Sequence, residues 1–123
     1  MKIISSKNAP EAIGPYSQAI QTDRYLFVSG QLPINPETGT EAGRDIEVQA
    51  HQVIRNIQAI LKEAGYELTD VVKTTCFLKN MEDFATFNKV YGEYFVQCPA
   101  RSCVAVKEIP KNVLCEMEVI AYR

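Results

Sequence analysis

Residues 45–78 read DIEVQAHQVIRNIQAILKEAGYELTDVVKTTCFL, and a change of hydrophobic period falls inside the stretch. Ile46, Ala50, Val53, Ile57, Ile60, Leu61 and Ala64 recur at steps of three and four, which places them on one face of a helix. Asp45 stands before the first of them as an N-cap, and Gly65 follows the last at a C′ position. Val71 to Leu78 (VVKTTCFL) is then a β-rich run of strand length. A helix with one wet face that leads into a strand lays its apolar face on a sheet, so helix and sheet share one core.

Downstream, Asn80 is placed to cap a second helix whose stripe is Phe84, Phe87, Tyr91 and Tyr94. Pro99 precedes an extended segment, Arg101 to Val106, and Val113 to Tyr122 is the last one. Upstream, Lys2 to Ser5 reads as a short strand, Gly14-Pro15 as a turn, and Ser17 to Thr22 as a further extension. Arg24 to Ser29 (RYLFVS) is a strand that stops at Gly30, and the two prolines and two glycines of LPINPETGTEAGR exclude regular structure there. The order is strands, helix, strand, helix, two strands. Both helices are therefore expected on one face of a single mixed, largely antiparallel sheet. With no helix left for the other face, self-association is the simplest way to cover it.

The 123 residues make a single domain, 1–123, that buries roughly two-thirds of its unfolded surface. Thirteen Lys and Arg against 15 Asp and Glu leave a net charge of −2, so no basic surface is offered to nucleic acid or an anionic membrane. No apolar run approaches the ~20 residues of a membrane span, and MKIISSKNAP lacks the apolar region of a signal peptide. Cys76, Cys98, Cys103 and Cys115 form no CxxC pair, and three lie in apolar, strand-like sequence. Reduced, buried thiols and a cytoplasmic location are expected. One histidine and scattered cysteines supply no zinc-ligand set and no Ser-His-Asp or Cys-His dyad. No phosphate-binding glycine fingerprint occurs, and neither metal nor cofactor is expected.

Chemistry concentrates in PARSCVAVKEIPKNVLCE, residues 99–116. Alternation puts Arg101, Cys103 and Ala105 on one strand face, and Leu114, Glu116, Glu118, Ile120 and Tyr122 on one face of the next. A charge on a mostly buried strand is costly unless something neutralises it. Glu116 shares its face with large apolar residues, which raises its pKa unless a cation lies near. Two readings stay open: a structural Arg101–Glu116 pair, or a guanidinium fork that receives a substrate carboxylate bidentately. Cys103 reads as a small pocket-lining thiol, although Arg101 two residues away could depress its pKa. His51 falls between the apolar positions, beside Arg55 and Gln58, and reads as solvated. Gly30 reads as a turn that could also let a ligand reach the backbone, and Tyr16 as a packing aromatic whose hydroxyl could reach the same ligand. Asn88 sits one turn after Phe84 at the stripe's edge and reads as a surface-edge amide, with a ligand contact as the lesser reading.

IGPYSQA (13–19), FVSGQLP (27–33), DFATFNKVY (83–91), PARSCVAV (99–106) and CEMEVIAY (115–122) resemble, in order over essentially the whole chain, the RidA/YjgF family of reactive-intermediate deaminases. The resemblance implies a small chorismate mutase-like α+β domain, assembled as a homotrimer with its sites between subunits. It also implies cofactor-free hydrolysis of 2-imino acids (2-iminopropanoate, 2-iminobutanoate) to 2-keto acids and ammonia. The family's carboxylate-binding arginine corresponds to Arg101 and its water-handling glutamate to Glu116. Its tyrosine, Ser-Gly backbone contacts, helix asparagine and strand cysteine correspond to Tyr16, Ser29 and Gly30, Asn88 and Cys103. Cys115 departs from the aliphatic residue usual before the glutamate, which bears on packing rather than chemistry. The alternatives are the endoribonuclease or translation-inhibitor role attributed to some relatives, and a non-enzymatic metabolite-binding regulator or chaperone.

Overall fold

The structure, a computed structural model, describes residues 1–123. In chain order the elements are β1 (Lys2–Ile4), β2 (Ala19–Thr22), β3 (Tyr25–Gln31), α1 (Ile46–Glu63), β4 (Val71–Leu78), α2 (Phe84–Tyr94), β5 (Ala100–Ala105) and β6 (Cys115–Tyr122). The six strands form one sheet in the order β1-β2-β3-β6-β4-β5. Every neighbouring pair is antiparallel except β4 and β5, which run parallel. The chain crosses from β3 over β6 to β4 through α1, and from β4 to β5 through α2. Both crossovers step the same way across the sheet, and such connections are almost always right-handed, so both helices come to one face.

α1 forms where its periodicity puts it. The Asp45 carboxylate accepts from the Val48 N–H at 2.9 Å, closing the first turn. At the other end Gly65 takes φ +83°, while the N–H groups of Gly65 and Tyr66 donate back to the carbonyls of Lys62 and Leu61. That is a Schellman closure, and the positive φ is why glycine stands there. The buried face carries Ile46, Ala50, Val53, Ile54, Ile57, Ile60 and Leu61, together with two amides, Gln49 and Asn56.

α2 starts differently from the sequence expectation. A 3-10 turn over Met81–Asp83 intervenes after Asn80, and neither Asn80 nor Asp83 caps with its side chain. Phe87, Val90 and Tyr91 are buried, and Phe84 and Tyr94 only half so. Gly30 also departs from expectation: it does not end its strand. Val28 pairs with Val119 and Gln31 with Met117, so Ser29 and Gly30 form a bulge within β3.

Toward the helices the sheet buries Leu26, Val28, Cys76, Leu78, Cys115, Met117, Val119 and Ala121. The other face has no covering element, and its cross-strand row Ile20, Phe27, Ile120 stays apolar. Phe27 is 43% exposed there and Val104 on β5 46% exposed. Of the four free thiols, Cys76 and Cys115 are buried, Cys103 is half-buried and Cys98 exposed, so the expectation of buried cysteines holds for only part of the set. His51 is half-buried rather than freely solvated: its Nδ1 lies 2.7 Å from the Tyr94 hydroxyl, bridging α1 to α2. No helix is long and apolar enough to cross a membrane.

Candidate active site

The bulge in β3 opens a cleft of about 920 Å³ on the helix-free side, lined by Tyr16, Ser29, Gly30, Lys111, Glu116 and Glu118 among others. Glycine at position 30 leaves room for a side chain to lie against the backbone. A Cβ at that position would overlap Glu116 Oε2 and come within 3.1 Å of its Cδ, so the carboxylate lies directly over the glycine backbone. The Ser29 N–H donates to the Gln18 carbonyl at 2.9 Å and its hydroxyl donates to the Ser17 carbonyl at 2.6 Å. Ser29 thereby ties the segment carrying Tyr16 to the cleft wall. Tyr16 is 52% exposed, and its N–H donates to the Gly14 carbonyl across a three-residue turn that Gly14 permits at φ +127°.

The irregular walls of this cleft hang on buried amides that the apolar pattern did not single out. Asn56 Nδ2 donates to the carbonyls of Leu32 and Ile34, each at 3.0 Å. Gln49 Nε2 donates to the Gly43 carbonyl at 2.8 Å and its Oε1 accepts from the Leu114 N–H at 2.7 Å. Gln18 accepts from the Ser6 N–H and donates to the carbonyls of Ser6 and Pro10. Loops have no ladder of their own, so their polar groups must be met by side chains reaching out of regular elements. The available signal was phase: Gln49 and Asn56 fall in step with Val53 and Ile60, on the face that must be buried.

Glu116 is half-buried, and its carboxyl is pushed above the usual carboxylate range, first by burial and then by the like charge of Glu118. A carboxyl raised in this way can carry a proton nearer neutrality and exchange it with water.

Arg101 stands elsewhere. On β5 it is in register with Thr74 of β4, and its guanidinium carbon lies 4.7 Å from the Tyr91 ring centroid and 5.6 Å from that of Phe84. One guanidinium N–H donates to Asn88 Oδ1 at 2.8 Å, which makes Asn88 a partner rather than a surface-edge amide. The Tyr91 hydroxyl is in turn 2.7 Å from Thr74 Oγ1, so the ring under the guanidinium is held in place. Cys103 follows on the same face. Burial pushes its thiol up, and Arg101 only partly offsets this, so the thiol is not depressed.

The seven candidate residues thus divide into two groups. Asn88, Arg101 and Cys103 gather on the helix side of the β5 edge. Tyr16, Ser29, Gly30 and Glu116 gather on the open side. β4 lies between β5 and β6, so the link over residues 106–114 makes no simple hairpin. In register, Glu116 is opposite Phe77 whereas Arg101 is opposite Thr74, an odd step along β4 that sets them on opposite faces. A structural Arg101–Glu116 pair within one chain is therefore excluded by the pleat.

Residues 6–123 match the family model described as Endoribonuclease L-PSP. The chain belongs to this family, the YjgF/RidA family. Within the family, a RutC family protein of Pyrococcus horikoshii is 53% identical over 123 residues, covering 99% of this chain and 98% of the relative. The 2-iminobutanoate/2-iminopropanoate deaminase of Escherichia coli K12 is 46% identical over 126 residues, covering 99% and 98%. Among solved structures, E. coli TdcF with bound serine superposes with a TM-score of 0.96 at 42% identity, over 100% of this chain and 99% of that one.

Proposed function

We propose that this chain is a cytoplasmic hydrolase that converts 2-imino acids, such as 2-iminobutanoate and 2-iminopropanoate, to 2-keto acids and ammonia. The observation that carries the reading is the state of Arg101. Its guanidinium lies over two aromatic rings and bonds a neutral amide, so its charge is oriented while its own chain supplies no carboxylate in that bond. Such a fork is prepared for a planar anion from outside, a contact worth about 1.5–3 kcal/mol. The naming of the E. coli relative as a deaminase of 2-imino acids, and the serine bound to E. coli TdcF, support a small α-substituted carboxylate as that anion.

The chemistry needs little beyond positioning. Water adds to C2 of the imine, giving a carbinolamine, and the C–N bond breaks to release ammonia and leave the keto group. Glu116 passes one proton of the attacking water to the imine nitrogen and then the carbinolamine hydroxyl proton to the same nitrogen as it departs, assistance typically worth about 10²–10⁴-fold. The Tyr16 hydroxyl and the Gly30 backbone orient the imine over Glu116. Because Arg101 and Glu116 occupy opposite faces of one sheet, the complete site is built between copies: the open face of one protomer meets the β5–α2 edge of the next, in a homotrimer. That arrangement also covers Phe27 and its apolar neighbours.

The test is keto-acid release from freshly generated 2-iminobutanoate, with and without the protein. Acceleration is expected, and Arg101→Ala is expected to abolish it while the fold and assembly persist. An unaccelerated reaction sinks the proposal. Salt-dependent binding or cleavage of RNA would instead favour the activity in the family's name, against a net charge of −2 and a cleft holding Glu116 and Glu118.

A further inference from the structure

Cys76 on β4 and Cys103 on β5 stand directly opposite each other in the one parallel pair of the sheet. Both side chains point toward the helices. Neighbouring strands are about 4.8 Å apart, inside the roughly 4.4–6.8 Å between Cα atoms that a disulfide spans. The two thiols differ in access: Cys76 is fully buried, whereas Cys103 is half-buried beside Arg101. The Cys76 thiol donates to Thr74 Oγ1 across a long 4.0 Å.

We propose that Cys76 and Cys103 form a redox dithiol whose oxidation draws the Cys103 sulfur inward, away from the Arg101 pocket. The oxidant is a hydroperoxide, which meets the more accessible sulfur first. The Cys103 thiol is oxidised to a sulfenic acid as the O–O bond is reduced, releasing water (or an alcohol). The Cys76 thiol then attacks that sulfur, the S–O bond breaks, a second water leaves, and the S–S bond forms. Two electrons pass from the pair to the peroxide. Burial pushes both thiols up, Cys76 to about 12, so little thiolate is present and the pair reacts slowly with peroxide. Cys103 is two residues from Arg101 on the same face, so its sulfur forms part of the wall on which the proposed carboxylate rests.

The full chain carrying Cys98→Ser, which removes the one exposed thiol, is treated with hydrogen peroxide, denatured, alkylated and mapped. The expected product is a peptide pair bridged between Cys76 and Cys103, released by dithiothreitol. In Cys76→Val, where an aliphatic group keeps the core filled, Cys103 is expected to persist as a sulfenic acid captured by dimedone. Cys76 recovered fully alkylated while Cys103 carries sulfinic acid would overturn the dithiol, as would bridges formed only between chains. A second readout rests on the imine-hydrolase reading: the bridged protein is expected to lose most of its acceleration and dithiothreitol to restore it. A bridged protein as active as the reduced one would overturn the coupling to the pocket. Absence of activity in the reduced protein would count against the hydrolase alone, since the mapping stands apart from it.

Discussion

Glu116 shows how one residue's setting gives rise to its chemistry. Its carboxyl is raised first by burial and then because Glu118 follows two positions later on the same face. The folded state therefore favours the neutral form. The stability this contributes is full below the ordinary carboxyl value of 4.5 and is lost as pH rises through the elevated one. Glu116→Gln, permanently neutral, should accordingly melt higher than the wild type at pH 7 and at nearly the same temperature at pH 4, while losing imine turnover. Equal melting shifts at both pH values would show that the charge is not the cause. Gly30→Ala separates geometry from protonation. The added methyl displaces only the flexible end of Glu116, so the melting temperature should stay within a few degrees while acceleration drops by about an order of magnitude or more.

At the scale of the element, α1 both fills the core and anchors the cleft. Its apolar stripe packs on β3 and β6, and Asn56 extends from the same face to the carbonyls of Leu32 and Ile34. Asn56→Leu keeps the branched heavy-atom skeleton and removes both donated bonds, leaving two carbonyls without their partner. We expect a loss of about 1–3 kcal/mol in chemical denaturation, with faster amide exchange confined to residues 32–43. Exchange spread evenly over the sheet would mean that the amide is ordinary core. The helix itself, its Asp45 cap and its Gly65 closure were legible because they depend on residues a few positions apart. The start of α2 was not. Asn80 has the composition of a cap, but the 3-10 turn over Met81–Asp83 moves the helix start to Phe84, and no local rule sets that offset.

Over the whole molecule, the period of two along β4, β5 and β6 dictates what one chain can and cannot assemble. Arg101 and Glu116 cannot meet in one copy, so two defective copies should repair each other. Inactive Arg101→Ala and Glu116→Gln proteins, unfolded together and refolded, should recover activity, because about a quarter of the interfaces in a random mixture pair an intact Arg101 with an intact Glu116. No recovery would mean that each chain holds its own site. Phe27→Lys, on the uncovered face and away from both residues, should convert the proposed trimer to monomers in light scattering and abolish turnover with it.

The helix phases, the alternation that groups Arg101 with Cys103 and sets Glu116 among apolar neighbours, and the acidic balance all follow from residues close in the chain. These local spacings determined the helices and the strand faces, while the resemblance of whole motifs to a family picked out the candidate residues. Tertiary structure alone decided that β4 separates β5 from β6, that Gly30 lies in a bulge beneath Glu116, that Asn88 holds Arg101, and that Cys76 faces Cys103. Each of those depends on strand order and register, which are set by how distant segments compete to pair and to bury apolar surface. No window of neighbouring residues contains that competition.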